Sequence, residues 1–279
     1  MPLVYACIAP HGSDIIPQLA NRETIKSFEP TRKGMLRIAQ DVKRARPDTI
    51  IIASPHNLRV HQHIGIVTAE NSSGTLNGWN APSKSVKLKV KCNPAMAKQL
   101  LSTALRRKLP AVGVNYGTFT GENSDMAMDW GTFIPLWFFA GKKSGKRPRV
   151  LIVTPSREIP LEENVAFGRA IADLAKKSRE RIVFVASADQ AHAHKKNGPY
   201  GFHQAAAKYD KLVVNAIEHD DISSLNHLDK RFVENAKPDS LWQIAILSGI
   251  AEEVPLTPHL YSYQVPTYFG MICAGFERD

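Results

Sequence analysis

Cysteine is scarce: Cys7, Cys92 and Cys273 are the three thiols among 279 residues, an odd number with no Cys-x-x-Cys pair. That pattern argues against a disulfide framework, and Cys7 and Cys273, set in apolar runs, read as small core hydrophobes. Long hydrophobic runs are missing too. None approaches the ~20 residues that span a bilayer, and the first residues show no basic segment followed by an apolar one and a cleavage site. The expectation is a soluble, cytoplasmic protein that engages no membrane. Neither a Gly/Ser linker nor an internal repeat divides the chain, so residues 1–279 are read as one domain. A content of 43% hydrophobic and 22% charged residues excludes disorder and suffices for a full core.

Acidic residues are outnumbered, 26 against 36 Lys and Arg, giving a formal charge of +10. A nucleic-acid partner would require aromatic residues interleaved with the basic ones, or a named motif. The basic runs Arg106 to Lys108, Gly141 to Arg149, Lys176 to Arg179 and the pair Lys195 and Lys196 have neither. They read as solvated charge at helix ends and loops, and no nucleic acid is expected as partner. The other reading is a positive field that draws in an anionic small substrate.

What remains alternates strand and helix. The strand and turn of Leu3 to Ser13, Ile50 to Ile52 within Thr49 to Asn57, Arg149 to Pro155 and Arg181 to Ser187 are apolar runs of buried-strand type. Between them, Thr31 to Ala45, Ala95 to Leu105 and Leu161 to Arg179 carry helical periodicity, the first ending before Pro47. Ile64 to Ala69, Ser85 to Val90 and Val112 to Asn115 are further strand candidates, and Gly74 to Pro82 is expected to be a loop. Phe202 to His219, Leu225 to Ala236 and Pro238 to Gly249 follow as helices. The last is expected to start with Asp239 or Ser240 as N-cap and to stop at Gly249. Leu260 to Tyr263 and Thr267 to Cys273 read as a closing antiparallel hairpin. The fold class is α/β, a mostly buried mixed central sheet with helices on both faces.

Two of these strands end alike. Leu3 to Ser13 runs into Ala-Pro-His-Gly and delivers His11; Thr49 to Asn57 runs into Ser-Pro-His and delivers His56. Open α/β sheets place their ligand crevice at the carboxyl ends of strands. A lone histidine there is most simply a strand-end residue with its hydrogen bonds satisfied. Two delivered by one device are the start of a metal site, because neutral imidazole is the commonest metal ligand. A third strand end spills into Ala188 to Tyr200, with His192 and His194, and its Lys, Asn, Gly and Pro residues signal a loop able to act as lid or substrate contact.

The Ala-Pro-His-Gly turn, the Ser-Pro-His turn, the Asp-x-Gly-x-x-x-Pro-Leu segment at Asp129 to Leu136 and the Ala-Ser-Ala-Asp-Gln-Ala-His run ending at His192 come in an order that resembles the class III extradiol ring-cleavage dioxygenases, catalytic subunit type, related to the β subunit of protocatechuate 4,5-dioxygenase. The resemblance extends over nearly the whole chain. It implies one catalytic domain, a mononuclear non-heme Fe(II) held by two His and one Glu, with Zn or Mn able to occupy the same ligands, and an aromatic substrate opened with both atoms of O2. It also implies a homodimer or a partner subunit. His11 and His56 match the ligand histidines. For the carboxylate, Phe232 to Trp242 is similar to the region of the ligand in relatives that open aminophenol-type rings, and Glu234 is the candidate. Glu252 and Glu253 compete with it, both reading otherwise as solvated helix-end charge, and Glu122 lies in a polar loop without a family match.

The chemistry explains these residue types. Two imidazoles and a carboxylate occupy one face of iron and leave positions open for substrate and O2. A base must take a hydroxyl proton, and a histidine near neutral pKa suits it. The resemblance gives that role to His192, with His194 as a second catalytic or substrate-contact candidate. His61 and His63 read as surface residues. Where many relatives have a histidine after the Asp of the Asp-x-Gly segment, this chain has Trp130, which reads as core packing or as a surface for stacking an aromatic ring. The same resemblance includes Memo-type proteins, which keep the fold and a metal-site-like pocket but serve in binding or signalling.

Overall fold

The structure is a computed structural model and describes residues 2–140 and 147–278. Of the basic segment Gly141 to Arg149, residues 141–146 lie outside the described residues. In chain order the elements are β1 (Leu3–Ala9), α1 (Thr24–Ser27), α2 (Glu29–Ala45), β2 (Thr49–Ala53), β3 (Ile64–Val67), β4 (Asn71–Gly78), β5 (Ala81–Lys91), α3 (Pro94–Arg106), β6 (Ala111–Val114), β7 (Asp125–Ala127) and α4 (Trp130–Phe139). They continue with β8 (Arg149–Thr154), α5 (Leu161–Lys177), β9 (Ile182–Ser187), α6 (Ala205–Glu218), α7 (Lys230–Ala236), α8 (Leu241–Ala251), β10 (Leu256–Gln264) and β11 (Met271–Arg278).

Eight strands form one mixed sheet in the order β10-β11-β1-β9-β2-β8-β3-β6. The centre, β1-β9-β2-β8, is parallel. β11 joins β1 antiparallel, and β3 joins β8 antiparallel. Parallel strands need both faces covered, so their sequences run apolar without alternation. Ile50, Ile51 and Ile52 are fully buried on alternating faces, each worth about 1.5–3 kcal/mol of burial. One face carries a core shared by α3, α5, α6 and α8, the other a core shared by α2 and α4, as expected for helices on both faces.

Register decides where the histidines go. Ala9 of β1 pairs with Ser187 of β9, and Ala53 of β2 with Ala186. The three parallel strands therefore stop at one level, and the turns that follow them share one edge of the sheet.

Two local expectations change. Gly74 to Pro82 is not a loop: β4 and β5 form an antiparallel hairpin turning at Trp79 and Asn80, with Gly78 opposite Ala81. The strands are polar because much of this hairpin is exposed, and weak apolar alternation conceals a strand. Gly249 does not stop its helix. It lies inside α8 where α5 crosses, and a Cβ there would run into the Val165 carbonyl, as one at Gly168 would run into that of Ile246. The glycine serves close helix packing instead of C-capping. The closing hairpin forms as β10 and β11, and all three cysteines are buried and free. No helix among the described residues is long and apolar enough to cross a membrane.

Candidate metal centre

His11 follows β1 by two residues, and its backbone N–H donates to Asp189 Oδ1 at 2.9 Å, which ties the β1 turn to the β9 turn. His56 follows β2 by three. Its loop is fixed by Asp129, the N-cap of α4, which accepts from Thr132 N, from Ser54 Oγ at 2.5 Å and from Asn57 Nδ2 at 2.9 Å. The conformation of the Asp-x-Gly segment is thus a brace for the second histidine.

The third side chain arrives from the other face of the sheet. α7 ends at Lys237 in the left-handed region, with φ of 55°. Pro238 bridges to Ala191, and the His192 N–H is shared by the Ala236 and Lys237 carbonyls, each at 3.1 Å. This turn delivers Asp239. Its Oδ2 lies 3.1 Å from His11 Nε2 and 2.9 Å from His56 Nε2, and the two nitrogens are 3.2 Å apart. His11, His56 and Asp239 form a group that could bind a metal ion.

The carboxylate beside the imidazoles is therefore Asp239, not Glu234. Glu234 is exposed on α7 and borders the cleft beside the site. Glu252 and Glu253 form ion pairs with Arg169 and Lys176, and Glu122 is exposed. Asp239 reads from sequence as an N-cap, but Ser240 takes the N-cap position of α8 and the Asp239 carboxylate turns into the site. An acidic residue at a helix start carries both meanings until its neighbours in space are known.

Hydrogen bonding suits the site to a cation. Ser187 Oγ donates to the Gly131 carbonyl at 2.5 Å, so it can only accept from His11 Nδ1, 2.9 Å away. The Nδ1 proton is thereby fixed, and Nε2 is turned to the meeting point, where it would present its lone pair to a bound cation, the arrangement that ligand histidines adopt. Asp189 Oδ2 is a further 3.4 Å from His11 Nε2. Burial works against protonation of His11, but the charges of Asp189 and Asp239 outweigh it and raise its pKa. Burial likewise opposes ionisation of Asp239, yet hydrogen bonds from His11 and His56 hold its carboxyl well below the usual range. Burial pushes the Asp189 carboxyl up. Two buried acids beside the two imidazole nitrogens call for positive charge, and the donor set of two nitrogens and one oxygen fits a divalent transition metal.

His192 lines the same cleft of about 830 Å³ as His56, Asp239, Arg157, Tyr200 and Trp242. Its Nδ1–H donates to the Gln190 carbonyl at 2.8 Å, leaving Nε2 as the basic nitrogen. Burial lowers its pKa and keeps the ring neutral. Phe269 stacks on it at 5.1 Å, and Tyr200 meets it edge-on at 5.5 Å. His194 is not brought to this cleft: its Nε2 faces the buried Asp210 at 2.9 Å. His61 and His63 are exposed. Trp130 is neither core nor free, being 47% exposed with its indole stacked on His56 at 4.1 Å.

The sequence pattern described as the catalytic LigB subunit of aromatic ring-opening dioxygenase matches residues 5–273. The chain belongs to the LigB family. Protein CA_C1420 of Clostridium acetobutylicum is 27% identical over 257 residues, which are 92% of this chain and 54% of that protein. This LigB-family chain thus spans about half the length of the curated relative it matches. The crystal structure of uncharacterized protein JW3007 from Escherichia coli K12 shares the fold, with a TM-score of 0.58 at 15% identity over 98% of this chain and 99% of that one.

Proposed function

We propose that this LigB-family chain is a non-heme Fe(II)-dependent extradiol dioxygenase that opens a catechol- or aminophenol-type ring, its iron held by His11, His56 and Asp239. The observation that carries the reading is the approach of two imidazole nitrogens and one carboxylate oxygen within 3.2 Å of one another, beside the free Nε2 of His192. Bound iron would supply open positions where substrate oxygens and O2 meet, and a path for electrons between them. The same donors accept Zn or Mn, so the metal found depends on supply.

The chain does the rest. His192 takes the substrate hydroxyl proton at Nε2, and the Gln190 carbonyl holds the ring in the tautomer that task needs. Phe269, Tyr268 and Tyr200 pack around the base and hold its ring in place, and Tyr200 and Trp242 line the cleft that would receive a flat ring. The burial of His11 and Asp189 keeps water from the inner side of the site. Glu234 borders the substrate side of the cleft, and His194 supports the fold through Asp210.

Anaerobic loading with Fe(II), followed by oxygen uptake against a panel of catechols and aminophenols, tests the proposal. Uptake with a ring-opened product carrying both atoms of labelled O2 is the expected result. Inactivity on every ring despite stoichiometric iron would favour the second reading, a Memo-like binding or signalling protein. One observation favours that reading: Trp130, in place of the relatives' histidine, covers a face of His56 and offers no titratable group there.

A further inference from the structure

Arg157 lies three residues beyond β8, in a loop pinned by the Asn164 side chain, which donates to the Ser156 carbonyl at 3.0 Å. Its guanidinium Cζ sits 4.5 Å above the centre of the Trp242 ring, and it donates to Asp239 Oδ1. Trp242 is in the first turn of α8, three residues after Asp239. A stack on one side and an ion pair on the other leave the guanidinium little freedom. Asp239 is held in turn: Oδ1 is taken by Arg157, and Oδ2 is left facing His11 and His56.

We infer that Arg157, clamped on the face of Trp242, is a positioning residue that fixes the rotation of the Asp239 carboxylate and so sets how tightly the site holds a divalent cation. The inference rests on the metal-site reading given above and deepens it.

An arginine here has two conceivable effects, and they have opposite signs. As a bare counter-charge it would repel a dication and weaken the carboxylate as a donor, so removing it would tighten metal binding. As a positioning group it keeps the Asp239 carboxylate aimed, so removing it would loosen binding; outer partners of metal ligands typically contribute 10–100-fold in affinity. The Trp242 stack favours positioning, because it orients a planar guanidinium without adding charge.

The test is Co(II) affinity of the full chain, measured by chelator competition and by the visible bands of the bound ion. Arg157→Gln should weaken binding about 10- to 100-fold. Arg157→Lys, which keeps the charge and loses the fork, should fall between it and the parent. Trp242→Leu alters no charge, yet should cost about 2- to 5-fold, the equivalent of an exposed cation–π contact, with Trp242→Phe restoring most of it. In the Arg157→Gln background Trp242→Leu should cost nothing more. Metal-free thermal unfolding monitors folding, and if the Gln or Leu variant fails to fold, the Lys and Phe variants carry the comparison. Tighter binding without Arg157, or equal binding by parent and Trp242→Leu, would overturn the inference and leave the metal site standing. A parent that binds no Co(II) would overturn both.

Discussion

Ser187 Oγ stands 2.9 Å from His11 Nδ1 and gives its own proton to the Gly131 carbonyl at 2.5 Å. One hydroxyl at the end of β9 therefore sets the tautomer of a histidine at the end of β1. Ser187→Ala should leave the fold intact while lowering metal affinity about 10- to 100-fold, read by chelator competition. Unchanged affinity would mean that the ring is oriented by packing alone.

Asp239 and Glu234 can be separated directly. Asp239→Asn keeps the size but loses the charge, and iron per chain after loading and desalting should fall to a small fraction of the parent. Glu234→Gln should load normally. The opposite pattern would return the ligand role to α7.

Acidity should act through His192. Its pKa lies below the ordinary imidazole value because burial disfavours the charged ring. The base works neutral, so kcat/KM should hold as pH falls past the ordinary value and drop only when pH passes the lowered one. His192→Gln should abolish that acid limb along with most of the activity, about 100-fold or more. A limb at or above the ordinary value would exclude His192 as the titrating base.

Packing of α8 on α5 predicts a further result. Glycine to alanine inside a helix usually adds about 1 kcal/mol of stability. At Gly249 the Val165 carbonyl occupies the space, so Gly249→Ala should instead lower the unfolding free energy by about 1–3 kcal/mol. Urea midpoints at constant slope would measure it.

The core was legible because parallel strands buried on both faces must be apolar throughout: Ile50 to Ile52 and Val183 to Val185 declare themselves in one dimension. Of the β4–β5 hairpin only Ser85 to Val90 did; β4 and the turn did not, since exposed faces select polar residues as a loop does. His11 and His56 were visible because each closes an unmistakable strand, and strand ends are where such folds bind. His192 came through resemblance, and the same strand end sends His194 to Asp210 instead of the cleft.

Alone, the amino-acid order determined which segments are the buried central strands and that two imidazoles leave the carboxyl edge of one sheet, because burial and turn chemistry are local properties. Only the tertiary structure decided that Asp239, not Glu234, meets them, that Ser187 sets a proton and that Arg157 lies between Trp242 and Asp239. Those relations join residues tens to hundreds of positions apart. They follow from strand register and from the left-handed turn at Lys237 that carries the chain from α7 back to the site, and no spacing along the chain encodes the distances among two nitrogens and an oxygen.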